Sequence, residues 1–469
     1  MVSIGVDQWV ETADSRRVEP DGWWGRGSQW WGSLPPWGRI GIVLGLAAFV
    51  PLFTSDFVVR VGVNALLLAL LAVGLNVSVG WAGLLDLGFI AFYGFGAYAF
   101  AILSSDQLGI DLPTLVAVPL VVVATGLLGV LLGLPSRRLS GDYLAIVTLF
   151  FSQIFLELAL NVDRLGVDLT GGPNGIAGVS PFHLFGTRFS SPTSYFYLFL
   201  VVLTLVVVAL YFLERSRTGR AWRAIHDDAL AAEIMTVPIN RLKLVAFATG
   251  AAIAGLTGSM FASFQLGVYP LNFQVQFLIV VYAALILGGS GSLSGAVLGG
   301  VVVAVMLDLL RDPGQASAAF YGVIAVTLIA KIRPWKRLGA IVGGALVLGF
   351  VVNAIATSLW PGTFEGEVES TGPLASFLDS WIVVPTDPVT PGNWAYCALI
   401  ACALALPVLH GWKRDALVVP TLYLAAFVWE TRLVGEPSIT RQLLLGALLI
   451  VMMLARPQGL IGKARVERV

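Results

Sequence analysis

The sequence predicts an all-α fold, a polytopic integral membrane helical bundle of about fourteen transmembrane helices that includes an inserted set toward the C-terminus. Three observations carry that prediction. Of 469 residues, 57% are hydrophobic and 12% charged, and the mean hydropathy of +0.86 lies outside the range of water-soluble domains. The apolar residues collect in runs able to cross about 30 Å of hydrocarbon. Lys and Arg concentrate in alternate connections between those runs, the pattern of loops retained on the cytoplasmic side.

The runs lie near 38–54, 58–80, 81–104, 113–134, 143–161, 194–213, 244–263, 276–289, 295–310, 319–332, 338–358, 394–409, 415–430 and 442–455. Residues 1–37 are polar, mixed in charge and rich in Trp ("DGWWGRGSQWWGSLPPWGR"), and read as a cytoplasmic surface-lying or disordered lead-in with no secretory signal. With both ends cytoplasmic, the inner loops collect Arg137 and Arg138, the basic residues of 214–243, then Lys331, Arg333, Lys336 and Arg337, then Lys413 and Arg414. The connection 361–393 holds Glu365, Glu367, Glu369, Asp379 and Asp387 and no Lys or Arg, which suits the outer face.

The third run opens within "VGWAGLLDLGFIAFYGFGAY" (79–98), a stretch with five glycines that is apolar apart from Asp86; within the run it is broken by Gly83, Gly88, Gly94 and Gly96. A carboxylate within a bilayer costs roughly 2.5 to 3.5 kcal/mol on insertion scales, so it faces a bundle interior or a water-filled cavity. A helix over 81–104 puts Asp86 on one face with Ala82, Ile90, Tyr93 and Ala97, either lining a solute path or bonding a neighbouring helix. The glycines either loosen that helix or let another approach closely. Gly129 with Gly133, and Gly250 with Ala254 and Gly258, have the spacing of close helix crossings. Gln153, Glu157 and Asn161 recur every four residues, a polar stripe expected to turn inward as path lining or as interhelical hydrogen bonds.

"LTGGPNGI" (169–176) reads as an outer turn or a docking point for a soluble partner, and "GGSGSLSG" (288–295) as a tight turn at the membrane edge. The segment 214–243, "ERSRTGRAWRAIHDDALAAEIMTVPINRLK", is longer than a connection needs to be and helix-competent. Asp227 and Asp228 stand at a helix start, Ala231 and Ala232 leave a flat face, and Pro238 closes the segment. Trp222, Ile225 and Ala229 share one side, to be buried against the membrane core or a soluble partner. Cys397 and Cys402 fall in one apolar run as small buried hydrophobes.

Composition also excludes. Lys plus Arg and Asp plus Glu are equal at 28 each, so no basic excess points to nucleic acid. No GxxxxGK[ST] is present, so ATP is not hydrolysed by a P-loop of this chain. His183, His226 and His410 lie far apart, with no metal-ligand spacing. No catalytic residues, metal site or cofactor are expected, and isolated acids in the spans do not make a membrane enzyme.

The phrases "RAIHDDALAAE" and "INRLKLVAF" resemble the cytoplasmic coupling loop of ABC importer permeases. "LNVSVGWAGLLDLGFIAFYGFGAYAFAIL", "LSGDYLAIVTL", "TGGPNGI", "ILGGSGSLSGAVLG" and "MMLARPQGLIG" follow in the order seen in permeases of the high-affinity branched-chain amino-acid importers. The resemblance covers about 62–310 and 440–462. It implies a permease core over 38–310, an inserted membrane region over 311–440, and a last helix with cytoplasmic tail over 441–469. It also implies that Arg220, Asp227, Asp228, Ala231, Ala232 and Glu233 meet an ATPase subunit, and that the solute path includes Asp86, Tyr93, Gln153, Glu157 and Asn161. The implied partners are two ATP-binding cassette subunits, a second homologous permease, an extracytoplasmic solute-binding protein and membrane lipid; the implied site is the plasma (inner) membrane. The family pattern carries Gly where Thr236 stands, and Ser or an apolar residue where Asp86 stands. Within 311–440, "VIAVTLIAKIRPWKRLG" echoes "GALLIVMMLARPQGLIG" of the tail. Urea or short amides are the alternative solutes; a secondary transporter, which needs inverted repeats and a midplane ion site, is the alternative class.

The threading predicts that single cysteines at Ser216 and Glu367, in a chain without Cys397 and Cys402, label from opposite membrane faces. Labelling of both with an impermeant thiol reagent added outside contradicts it.

Overall fold

The computed structural model describes residues 47–105, 112–136, 142–162, 169–184, 187–311, 313–331, 335–359, 375–387, 389–406, 412–433, 437–455 and 458–461, with a few isolated positions besides. The stretch 1–37, Arg137, Arg138, Glu365, Glu367 and Glu369 lie outside the described residues.

The apolar runs become helices because lipid offers no partner to a free backbone amide. They are α1 (Asp56–Leu75, prolonged by the π-helical turn Asn76–Trp81), α2 (Phe89–Ser104), α3 (Thr114–Ser136), α4 (Asp142–Asn161) and α5 (Pro192–Arg215). Next come the short α6 (Arg217–Asp227) and α7 (Ala229–Ile234), then α8 (Ile239–Gln265), α9 (Val275–Gly288) and α10 (Leu293–Leu309). The rest are α11 (Pro313–Lys331), α12 (Trp335–Leu359), α13 (Ala375–Trp381), α14 (Val389–Ala405), α15 (Trp412–Val428, prolonged by the π-helical Trp429–Leu433) and α16 (Pro437–Ala455). Among the described residues, six helices are long and apolar enough to cross a membrane: Asp56–Trp81, Thr114–Pro135, Tyr143–Asn161, Pro192–Arg215, Ile239–Gln265 and Arg337–Leu359. Helices α2 and α9 are apolar but shorter.

The expected helix over 81–104 is not continuous. The chain leaves the helix after Trp81 and resumes it at Phe89. Gly83 has φ +67°, outside helical space, and the Leu84 N–H turns to the Ser78 carbonyl at 2.9 Å. The Asp86 carboxylate accepts the Gly88 N–H at 3.1 Å, a local bond that competes with helix formation. Asp86 therefore lies in the break and does not share a helical face with Ala82, Ile90, Tyr93 and Ala97.

Helix α8 is the central column. Its 27 residues span about 40 Å, so Ile239 and Gln265 stand at opposite ends of the bundle. The expected small-residue pairs are its contacts. A Cβ on Gly129 would lie 2.6 Å from the Ala251 Cβ and one on Gly133 2.7 Å from Leu244, so α3 is pressed on one flank. On the other flank Gly258 abuts the Tyr93 carbonyl and Gly96 abuts the backbone of Gly255, bringing α2 into backbone contact. Gly94 receives the Phe155 ring from α4, so the α2 glycines serve close packing.

At the end of α8 that follows the 214–243 loop, here the inner end, lie the 82–88 break and the 288–292 turn. At the opposite, outer end, Ile176 pairs antiparallel with Val268, and "TGGPNGI" forms the turn before that pair with Gly171, Gly172 and Gly175 at positive φ. Leu378, Trp381, Ile382, Tyr423 and Ala426 form an apolar cluster apart from the main core.

Gly258→Leu forces a side chain into the Tyr93 backbone, and overpacking of this kind costs about 1 to 3 kcal/mol. The detergent-solubilised variant is expected to melt several degrees lower, whereas Gly322→Ala, at a position with nothing within 4 Å, leaves the melting temperature unchanged.

Candidate functional site

The site is built at the inner end from segments distant in sequence. The Ser216 side chain starts α6 by accepting the Gly219 N–H at 3.3 Å. Asp228 starts α7, its Oδ1 accepting the N–H groups of Leu230 at 2.9 Å and Ala231 at 3.0 Å. The N–H of Thr236 returns to the Glu233 carbonyl at 2.9 Å and that of Val237 to the Ala232 carbonyl at 3.1 Å, a Schellman end. Thr236 takes φ +63° there, a left-handed position natural to the glycine of the family pattern and strained for a β-branched residue.

Trp222 anchors this loop. It is fully buried, donates its indole N–H to the Leu242 carbonyl at 2.9 Å, and stacks on Trp81 with ring centroids 6.2 Å apart. Trp81 closes the π turn of α1 and donates its own indole N–H to the Gly291 carbonyl at 3.3 Å. Asn76 accepts the Gly291 N–H at 2.8 Å. Beside them a Cβ on Gly83 would stand 2.9 Å from His226 Nδ1, so the break touches α6 directly. In the 288–292 turn, Gly289 and Gly291 have positive φ, and the Ser292 hydroxyl caps α10 by accepting the Gly295 N–H at 3.2 Å. That hydroxyl is used in the turn.

The residues expected to meet an ATPase divide. Asp227, Asp228, Ala231 and Glu233 are exposed, but Ala232 is buried, and Ala229, expected on the buried side with Trp222 and Ile225, is exposed. Six residues of helix are too few for periodicity to fix the facing. Arg220 and Arg223 reach back to the carbonyls of Arg215 and Glu214, both at 2.8 Å, and cap the end of α5. Sequence reasoning missed Leu230, Ile234 and Met235, which are 69, 74 and 75% exposed. Their signal was a set of large apolar residues, Leu230, Ile234 and Met235, beyond the Trp222 and Ile225 that the loop buries.

The candidate path residues do not converge either. Asp86 is buried in the break, where the Tyr282 hydroxyl donates to its carbonyl at 2.8 Å and Thr148 Oγ1 accepts the Leu87 N–H at 3.0 Å. Tyr93 is buried near the outer end beside Phe261, Phe273 and Phe277, and borders a cavity of about 750 Å³ that Gln265, Asn272, Gln274, Gln276 and Gln442 also line. Gln153 and Glu157 do not turn inward: both are exposed on the outer side of α4, with Asn161 donating to the Glu157 carboxylate at 3.0 Å. Four-residue spacing gives α4 a polar face without saying which way it points.

Residues 57–332 match the family model described as the permease component of the branched-chain amino acid transport system. The chain is 36% identical over 320 residues to the high-affinity branched-chain amino acid transport system permease protein LivM of Salmonella typhimurium, covering 63% of this chain and 73% of that protein; LivM of Escherichia coli matches to the same extent. The permease protein LivH of Salmonella typhimurium is 27% identical over 256 residues, covering 50% of this chain and 79% of that protein. No solved structure matches.

The bond from Asp86 to Gly88 needs an acceptor and no charge. Asp86→Asn is expected to hold the melting temperature of the purified protein, whereas Asp86→Ala, which leaves the Gly88 N–H without that partner, loses about 1 kcal/mol. A large loss in the Asn variant assigns the charge itself a role.

Proposed function

Because the chain belongs to the branched-chain amino acid transport permease family, we propose that it is the membrane subunit of an ATP-driven importer of branched-chain amino acids. In this reading two ATP-binding cassette subunits bind the inner end, a second permease lies alongside, and an extracytoplasmic binding protein delivers solute to the outer end. About fourteen spans with both termini cytoplasmic fit the placement of basic residues. The carrying observation is the α7 tip. Leu230, Ile234 and Met235 are exposed beside Asp227, Asp228 and Glu233, while Trp222 behind them is wholly buried. An apolar knob ringed by acids on a firmly held loop suits insertion into a groove of a soluble subunit. A push on that knob reaches the broken segment 82–88 through the Trp222–Trp81 stack.

The polar face of α4 supports a path completed by the second permease. Gln153 and Glu157 are exposed on a helix apolar enough to span, and a carboxylate does not face lipid at rest. Few polar groups are needed because the binding protein supplies the selectivity and ATP the direction.

The reading predicts that Leu230→Asp with Ala231→Arg lowers transport-linked ATP hydrolysis at least tenfold in the reconstituted complex while membrane insertion is unchanged. Uptake of leucine that persists without ATP and collapses with an ion gradient contradicts the importer class.

A further inference from the structure

The segments 323–339 and 446–462 share an apolar run, an Arg-Pro pair and a closing Gly, yet the structure uses them differently. After Arg333 and Pro334 the chain is helical from Trp335, as the start of α12. After Arg456 and Pro457 it returns to the core. The Leu460 N–H donates to the Leu287 carbonyl at 2.9 Å and the Ile461 N–H to the Gly288 carbonyl at 3.0 Å. These carbonyls end α9, where helical partners run out. Gly459 allows the approach: its φ is +78°, and a Cβ there would stand 2.5 Å from the Gly289 Cα. Lys336 occupies the equivalent place in the first copy.

The two flanks of the intervening region come to the same places. Leu310, just past α10, and Leu444 of α16 both belong to an apolar cluster whose other buried members, Ala316 and Trp429, come from the first and last helices of that region. Leu307 and Gln442 border the same outer cavity. Between these points α12, α13 and α15 contribute the separate cluster of Leu378, Trp381 and Tyr423.

We propose that residues 312–436, whose first helix the family match over 57–332 takes as the equivalent of the last one, are a membrane module inserted into the core, and that residues 458–461 are a clasp closing the inner face of that core on the 287–289 backbone, a place that needs Gly459 and that the first copy, with Lys336 there, does not take. The clasp meets the start of the same turn whose Gly291 is held by Asn76 and Trp81. It therefore ties the C-terminal helix to the inner site across the insertion.

The test uses Leu287→Cys with Leu460→Cys, cross-linked oxidatively or with a short bifunctional reagent in membranes. One background is the full chain without Cys397 and Cys402; in the other, a short Gly-Ser linker replaces 312–436, which removes both cysteines. Both are expected to insert and to cross-link to a similar extent. Adding Gly459→Val to the full chain is expected to cut cross-linking at least tenfold, while Gly339→Val leaves it unchanged. An excised chain that fails to insert or cross-link, a Gly459→Val chain that still cross-links, or a loss with Gly339→Val overturns the proposal. None of these readouts involves transport, so they stand apart from any failure of the importer reading.

Discussion

The inner end of the bundle depends on the stack of Trp81 on Trp222. Helix α7 has six residues, far below the length at which an isolated helix is stable in water. Its order comes from the Asp228 cap, the return bonds at Thr236 and Val237, and the burial of Trp222 just before it. An aromatic pair is worth about 0.5 to 1.5 kcal/mol beyond the area it buries, but here the geometry matters more. Each indole also donates to a carbonyl of another segment, Trp222 to Leu242 and Trp81 to Gly291. Four stretches of chain are thereby held at fixed distances.

That arrangement explains how a broken helix exists in a membrane protein. A gap in helical bonding is tolerated at membrane depth only where protein supplies the missing partners. Over 76–88 protein supplies several of them. Asn76 serves Gly291, Ser78 serves Leu84, the Asp86 carboxylate serves Gly88, Thr148 serves Leu87, and Tyr282 serves the Asp86 carbonyl. The break can thus be the place where two helical segments change their relative pose. It adjoins the loop that carries the exposed apolar tip.

Much of this was legible in the sequence. Apolar runs became helices, Asp228 became a cap, the glycine pairs at 129 and 133 and at 250 to 258 became crossings, and "TGGPNGI" became a turn with left-handed glycines. The misses have common physical causes. Hydropathy reports burial and not φ, so the run over 81–104 concealed the positive φ of Gly83. Spacing fixes which residues share a face but not what the face meets, so the stripe of Gln153 and Glu157 reads as inward from the sequence and is exposed in the structure. A helix of one and a half turns has too little period to separate Ala232, which is buried, from Leu230, which is not. Contacts such as Trp81 with Trp222 join residues too far apart in sequence for any local pattern to announce them.

The central claim is that the 214–243 loop and the broken segment between α1 and α2 act as one body. A double-mutant cycle of Trp81→Phe and Trp222→Phe, read as ATP-driven uptake by the reconstituted complex, tests it most directly. The account predicts that the double variant is little worse than the poorer single variant, since either change already severs the link. Losses that multiply as independent effects would contradict it.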